Sequence, residues 1–192
     1  SLIFISGINL ILFFIFFAII IISLFLMIFF LPNKFGYILI RLKSFFNPSS
    51  GNNYQSEKAS EAIINGGIFG KGIGEGKLNS RIPEAHTDYI ISVISEEFGI
   101  LIIILIMLIF LILSYQVLKK INLESDNKAK LVLVGSITII LIQAFIHIGV
   151  NIRFLPTTGM TLPFLSYGGS SIISTAILSG IILNLTKRKV NQ

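Results

Sequence analysis

Apolar residues fall along this chain in four long blocks, with most of the polar residues gathered between them. The first block covers 2–31; as a helix it would measure about 45 Å, against about 30 Å of bilayer hydrocarbon, so it is expected to tilt or protrude. Pro32 is expected to end it. The second runs over 90–118, most densely apolar from Phe98, and stops at Lys119-Lys120. The third spans 131–155 and is closed by Pro156; the fourth spans 170–186 and meets Lys187-Arg188-Lys189. Uninterrupted apolar runs of this length are too long for strands and predict membrane-crossing helices. The fold class is therefore all-α integral membrane.

A region of different character separates the first two blocks. Residues 32–89 turn to Gly, Asn, Ser and Lys. Asn47-Pro48 predicts a turn. Ser56, Glu57 and Ala59 predict a short helix through Asn65, stopped by Gly66-Gly67. Residues 66–76, GGIFGKGIGEG, form a glycine-rich loop. Gly70-Lys71-Gly72 lacks the Ser/Thr that a nucleotide-phosphate loop needs after Gly-Lys, and no strand precedes it, which argues against an NTPase. What remains is a sharply turning external loop, or a backbone lining that a bulky substrate can approach closely.

Composition agrees with the bilayer as solvent. The chain is 54% hydrophobic and 12% charged, with a mean hydropathy of +0.89; soluble domains carry about 25% charged residues. It has no cysteine, which excludes disulfides and thiolate metal sites. It opens at Ser1 directly into an apolar run without the charged start of a signal peptide, and is expected to be a fragment or one half of a split chain.

Charge placement predicts orientation. The 119–130 loop and the tail hold seven basic residues (Lys119, Lys120, Lys128, Lys130, Lys187, Arg188 and Lys189) against Glu124 and Asp126. Residues 32–97 hold seven basic and seven acidic residues, and Arg153 completes the net charge of +6. The basic ends should be cytoplasmic and the large loop extracytoplasmic, with both termini inside. The positive charge reads as an orientation signal, so no nucleic-acid partner is expected.

Five ionisable groups crowd the mouth of the second block in IPEAHTDYIISVISEEFG, 82–99: Glu84, His86, Asp88, Glu96 and Glu97. A helix beginning at Asp88 would carry Asp88, Ser92, Ser95, Glu96 and Gly99 on one face, pointing into protein and away from lipid. Asp88 would then stand at most about 15 Å above the boundary. Glu96 and Glu97 fit an interfacial collar opposing the positive end of a helix. The alternative for Asp88 is a role in a groove facing the lipid headgroups. Glu84, His86 and Asp88 alternate as hard-cation ligands would on an extended segment, without a second cluster to complete a site.

In the third block Gln143, His147 and Asn151 share a helix face, suited to interhelical hydrogen bonds or to a polar path. The following stretch, 155–173, holds two prolines and three glycines. It reads as a re-entrant segment or as a tight external hairpin.

NPSSGNNYQ, GGIFGKGIGEG, PEAHTDYIISVISEEFG and LPTTGMTLPFLSYGGSS occur in this order. Together they resemble the SEDS membrane glycosyltransferases (shape, elongation, division and sporulation), and the cell-division branch more than the elongation branch. The resemblance covers nearly all 192 residues. It implies the C-terminal four transmembrane helices of a bundle of about ten, with a large extracytoplasmic loop, in the bacterial inner membrane. It also implies polymerisation of lipid II, the undecaprenyl-diphosphate-linked disaccharide pentapeptide, at the division septum. The implied partners are a class B penicillin-binding transpeptidase and other divisome proteins. Asp88 matches the family's essential aspartate and would act as general base toward the acceptor hydroxyl. Pro83, Glu84 and His86 would set its loop.

The diphosphate calls for positive charge, from a divalent cation (Mg or Mn) or from Lys71, Lys77, Arg81 and Arg153. Ser166, Gly168, Gly169 and Ser170 complete the substrate-binding or loop-positioning set. Thr158, His147 and Arg153 depart from the family's usual Lys, Asn and Leu or Gly. A lipid II flippase and a non-catalytic scaffold are the competing readings. A flippase needs a polar passage through the bundle, and none of the four blocks carries a charge deep inside.

Overall fold

The computed structural model describes residues 10–30, 32–47, 54–81 and 84–187. Positions 2–9 of the first block, Pro48, Pro83, and Arg188 and Lys189 of the basic tail lie outside the described residues. The chain forms two compact units divided between residues 53 and 54.

The first unit holds α1 (Leu10–Phe30) and α2 (Pro32–Phe46). α1 exposes apolar side chains all round, as a lipid-immersed helix does. Its one hydroxyl, Ser23, donates to Ile20 O at 2.8 Å and so needs no outside partner. Helix continues from Pro32 onward, where the sequence predicted an end. Proline lacks an N–H and has a fixed φ, which suit the first turn of a new helix as well as they stop an old one.

The second unit contains α3 (Tyr54–Gly66), α4 (Leu78–Arg81), α5 (Ile90–Phe98), α6 (Ile100–Leu123), α7 (Asn127–Asn151) and α8 (Gly169–Thr186). With α1, the helices α6, α7 and α8 are long and apolar enough to cross a membrane. A three-residue connection brings α7 back beside α6, and Asp126 Oδ1 caps α7 by accepting from Lys128 N at 2.9 Å. In α8 the hydroxyls of Ser174, Thr175, Ser179 and Thr186 each donate to the carbonyl four residues back, which lets them sit in apolar surroundings.

The second block is two helices, not one. Gly99 breaks it at φ 82°, ψ 178°, a conformation open in practice only to glycine. The break is used: Ile100 N donates to Gly67 O at 3.0 Å, and a Cβ on Gly99 would collide with the Ile68 carbonyl. α3 packs on α5 through Ser56, Ala59, Ala62 and Gly66, small residues that allow close approach. Gly66 lies against the Ser95 carbonyl with no room for a side chain. Ala59, Ala62, Leu78, Ala85, Tyr89, Val93 and Val150 form one buried cluster that ties α3 and α5 to the end of α7.

α7 ends in a Schellman motif. Phe154 N donates to Gly149 O at 2.7 Å and Arg153 N to Val150 O at 3.1 Å. Arg153 takes the left-handed position, φ 59°, where glycine is usual.

Gly99→Ala should lower the thermal unfolding temperature in detergent, at a cost of at least about 1–3 kcal/mol for the forced backbone. Gly135→Ala, mid-helix with nothing within 4 Å of a new Cβ, should be neutral or gain about 0.5–1 kcal/mol. Arg153→Gly should raise stability by about 0.5–1 kcal/mol, since the left-handed penalty exceeds glycine's extra chain entropy.

Candidate functional site

The segment before α5 coils over a single carbonyl. Glu84 O accepts from the N–H groups of Thr87, Asp88 and Tyr89 at 3.1, 3.0 and 3.3 Å. The Glu84 side chain is held from α3, where Gln55 Nε2 donates to its Oε2 at 2.8 Å. Ala85 and Tyr89 are buried beneath, while His86 is exposed.

The three carbonyls that precede Tyr89 are each taken by a different donor. Tyr167 N donates to His86 O at 3.1 Å. Ser166 Oγ donates to Thr87 O at 2.8 Å and accepts from Leu162 N at 2.8 Å. Asn151 Nδ2 donates to Asp88 O at 3.0 Å. Asn151 is fully buried and its amide is saturated: Nδ2 also donates to His147 O at 2.8 Å, and Oδ1 accepts from Ser92 N at 3.2 Å and Ser92 Oγ at 2.7 Å. Ser92 and Asn151 are far apart in sequence, so this amide joins α5 to α7.

The half-buried Asp88 carboxylate lies over Gly159. A Cβ at Gly159 (φ 73°) would come 3.4 Å from Asp88 Oδ2. Gly159 belongs to the irregular 152–168 segment, which runs back down along α7. His147 Nδ1 donates to Met160 O at 2.7 Å, and Gln143 Nε2 donates to Thr161 O at 3.0 Å. Gln143 is eight residues, about 12 Å, below Asn151 on a helix. The segment is therefore re-entrant, not a surface hairpin. The polar face of α7 bonds to this segment and to the Asp88 loop, and it also makes the interhelical bonds that the sequence suggested, from Asn151 to Ser92 on α5 and from Gln143 Nε2 to Ser171 Oγ on α8 at 3.3 Å. His147 is buried, and its Nε2 has no hydrogen-bond partner among the described residues.

Counting about 20 residues of hydrocarbon up α7 from Lys130 reaches Val150, so Asn151 sits at the opposite membrane boundary. Asp88, bonded to Asn151, is held at that boundary. The break at Gly99 lets α5 leave the axis of α6, which removes the rise of about 15 Å that a continuous helix would impose.

Lys71, Lys77 and Arg81 gather around another carboxylate. Glu96 is only 3% exposed. Its Oε2 accepts from Lys77 N and Leu78 N at 3.0 and 2.9 Å, and Lys71 Nζ lies 3.7 Å from its Oε1. Arg81 is exposed and shares a small recess with Glu96, Lys58 and Glu61. The interfacial collar expected of Glu96 and Glu97 is thus not formed. They sit near the C-terminal end of α5, where the helix dipole disfavours acids, and the glycine-rich loop takes up the helix's last main-chain carbonyls: Lys71 N donates to Glu96 O at 2.9 Å and Gly72 N to Glu97 O at 3.0 Å.

Arg153 lies just past Asn151 at the end of α7. Gly168, Gly169 and Ser170 open α8 directly after Ser166 and Tyr167, so the first-turn N–H groups of α8 begin close to the Asp88 loop. Among the described residues no group of three or more His, Asp or Glu could hold a metal ion, and Glu84, His86 and Asp88 do not converge as ligands. Tyr167 and Gly159 are site residues that sequence reasoning did not single out, and Asn151 was placed only on a polar helix face, without its link to Asp88. The signal for Asn151 was an amide closing an apolar helix; its partner on α5 had no signal.

The family model described as cell cycle protein, FTSW_RODA_SPOVE, matches residues 1–191. The chain is 39% identical over 165 residues to the probable peptidoglycan glycosyltransferase FtsW of Geobacter metallireducens, covering 84% of this chain and 44% of that protein. It is 40% identical over 161 residues to the protein of the same name from Borreliella burgdorferi, covering 81% and 44%. A chain from a solved structure, described as structural coordination of polymerization and crosslinking by a peptidoglycan synthase complex, superposes with a TM-score of 0.60 at 23% identity. That likeness covers 91% of this chain and 50% of that one, and it supports the fold. The chain spans less than half the length of the curated relatives it matches. Its four apolar helices, its re-entrant segment and the match along nearly its whole length make it a multi-pass membrane protein that belongs to the FtsW/RodA/SpoVE family of cell cycle proteins.

Proposed function

We propose that this chain is the C-terminal part of a peptidoglycan glycosyltransferase that polymerises lipid II during cell division, in the bacterial inner membrane. The basic ends of α6 and α8 face the cytoplasm and the Asp88 site faces outward. The observation that carries the reading is a carboxylate on a peptide held by three bonded carbonyls, beside the end of a helix long enough to cross a membrane and packed against Gly159.

A lipid-linked donor keeps its diphosphate at the headgroup level, so its reacting C1 must lie just above the hydrocarbon. Asp88 takes the proton of the acceptor sugar hydroxyl as that oxygen bonds to C1. The C1–O bond to the diphosphate breaks, and the lipid diphosphate leaves with the electron pair. The N–H groups at the start of α8 and the guanidinium of Arg153 supply positive potential on this side. Lys71, Lys77 and Arg81, gathered at Glu96, serve the loop that braces α5. A class B transpeptidase and other divisome proteins are the proposed partners, the first to cross-link the strand as it forms.

In the complete protein, Asp88→Asn should lower polymerisation of purified lipid II by about 10²–10⁴-fold, the range for a lost general base, with an unchanged unfolding temperature. Polymerisation at the parent rate would reject the assignment. Asn151→Asp keeps acceptors for Ser92 but cannot donate to Asp88 O, so it should lower kcat more than it raises KM. Ser92→Ala leaves the Asn151–Asp88 bond in place and should cost about 1 kcal/mol of stability with little loss of rate.

A further inference from the structure

Four large apolar side chains stand out around the glycine-rich loop. Ile64, at the end of α3, is 75% exposed, Ile68 59%, and Phe69 and Ile73 81% each. A cluster of this kind on a protein surface marks a contact with another apolar phase. Its backbone is fastened. Gly67 O accepts from Ile100 N, Gly70 N donates to Gly66 O, and Lys71 N and Gly72 N donate to the Glu96 and Glu97 carbonyls, all within 2.8–3.0 Å. Gly70 meets the Glu97 carbonyl with no space for a Cβ. The loop is thus locked to the first residue of α6.

That attachment sets its height. Counting about 20 residues of hydrocarbon up α6 from Lys119 reaches Gly99. Directly below, Ile100, Leu101, Ile104 and Leu105 are each 43–54% exposed, the face a membrane helix turns to acyl chains. The loop's apolar side chains continue that lipid-facing surface, with Lys71 and Lys77 in the same loop, as in interfacial segments.

We propose that Ile64, Ile68, Phe69 and Ile73 dip into the lipid leaflet on the Asp88 side, as an interfacial anchor seated about 5–10 Å deep. A protein occupant would have to displace lipid at the level where the hydrocarbon ends. Because the loop grips the far end of α5 from Asp88, the anchor holds α5 and its carboxylate at a constant height over the headgroups. This role is independent of the reaction assigned to Asp88.

The chain contains no tryptophan, so Phe69→Trp and Ile73→Trp each introduce a sole indole at a highly exposed position that the fold tolerates. The full chain is reconstituted in phosphatidylcholine vesicles carrying a lipid with a doxyl group near the headgroup end of its acyl chain. Glu61→Trp, on the exposed face of α3, serves as the water-facing control. The expected result is blue-shifted emission at positions 69 and 73, severalfold stronger quenching by the doxyl lipid than in the control, and severalfold weaker quenching by aqueous acrylamide. Emission and acrylamide quenching equal to the control would overturn the proposal. So would blue-shifted emission insensitive to the doxyl lipid, which would mean that protein covers the loop.

Discussion

Backbone that leaves a helix at the edge of a bilayer carries its carbonyls into a place where water is scarce. Each must find a donor within the protein. Two such segments meet here, the Glu84–Tyr89 coil and the re-entrant 152–168 stretch, and they answer each other's need. Ser166 and Tyr167 donate from one to the other, and Asn151 closes the arrangement from the end of α7. A hydroxyl, a main-chain N–H and a side-chain amide meet three successive carbonyls, so the peptide that carries Asp88 has little freedom to rotate.

The chain contains two carboxylates in different surroundings within nine residues. Glu96 is withdrawn from water and surrounded by donors: two main-chain N–H groups and the ammonium of Lys71. A buried charge so satisfied is a structural brace, and it converts a glycine-rich strip of weak intrinsic preference into a defined loop. Asp88 is half-buried and faces a glycine.

Glycine has two separate roles in this arrangement. Gly99 and Gly159 occupy positive-φ positions where the chain must turn at a membrane boundary or inside it. Gly66 is needed for space alone, since the Ser95 carbonyl fills the volume a side chain would take. Arg153 does without glycine at a helix end that normally requires it, and places a charge there at the cost of strain.

The four spans, the polar region between the first and second, and the short helix ending near Gly66-Gly67 were legible in the chain, because membrane burial imposes apolar runs that composition alone reveals. Asp88 could be singled out by its place at the mouth of an apolar block. The break at Gly99 was hidden, since the residues on both sides of it are apolar and helix-compatible. So was the difference between Asp88 and Glu96: both are acids near one end of the apolar block, and only the folded loop decides which of them is buried. Asn151 could be placed on a helix face, but its partners on α5 lie some sixty residues away, and sequence pattern carries no record of such distant pairings. Local periodicity therefore determined which segments enter the membrane. The tertiary structure decided where their polar groups meet, because hydrogen bonds that close a site depend on the packing of whole helices.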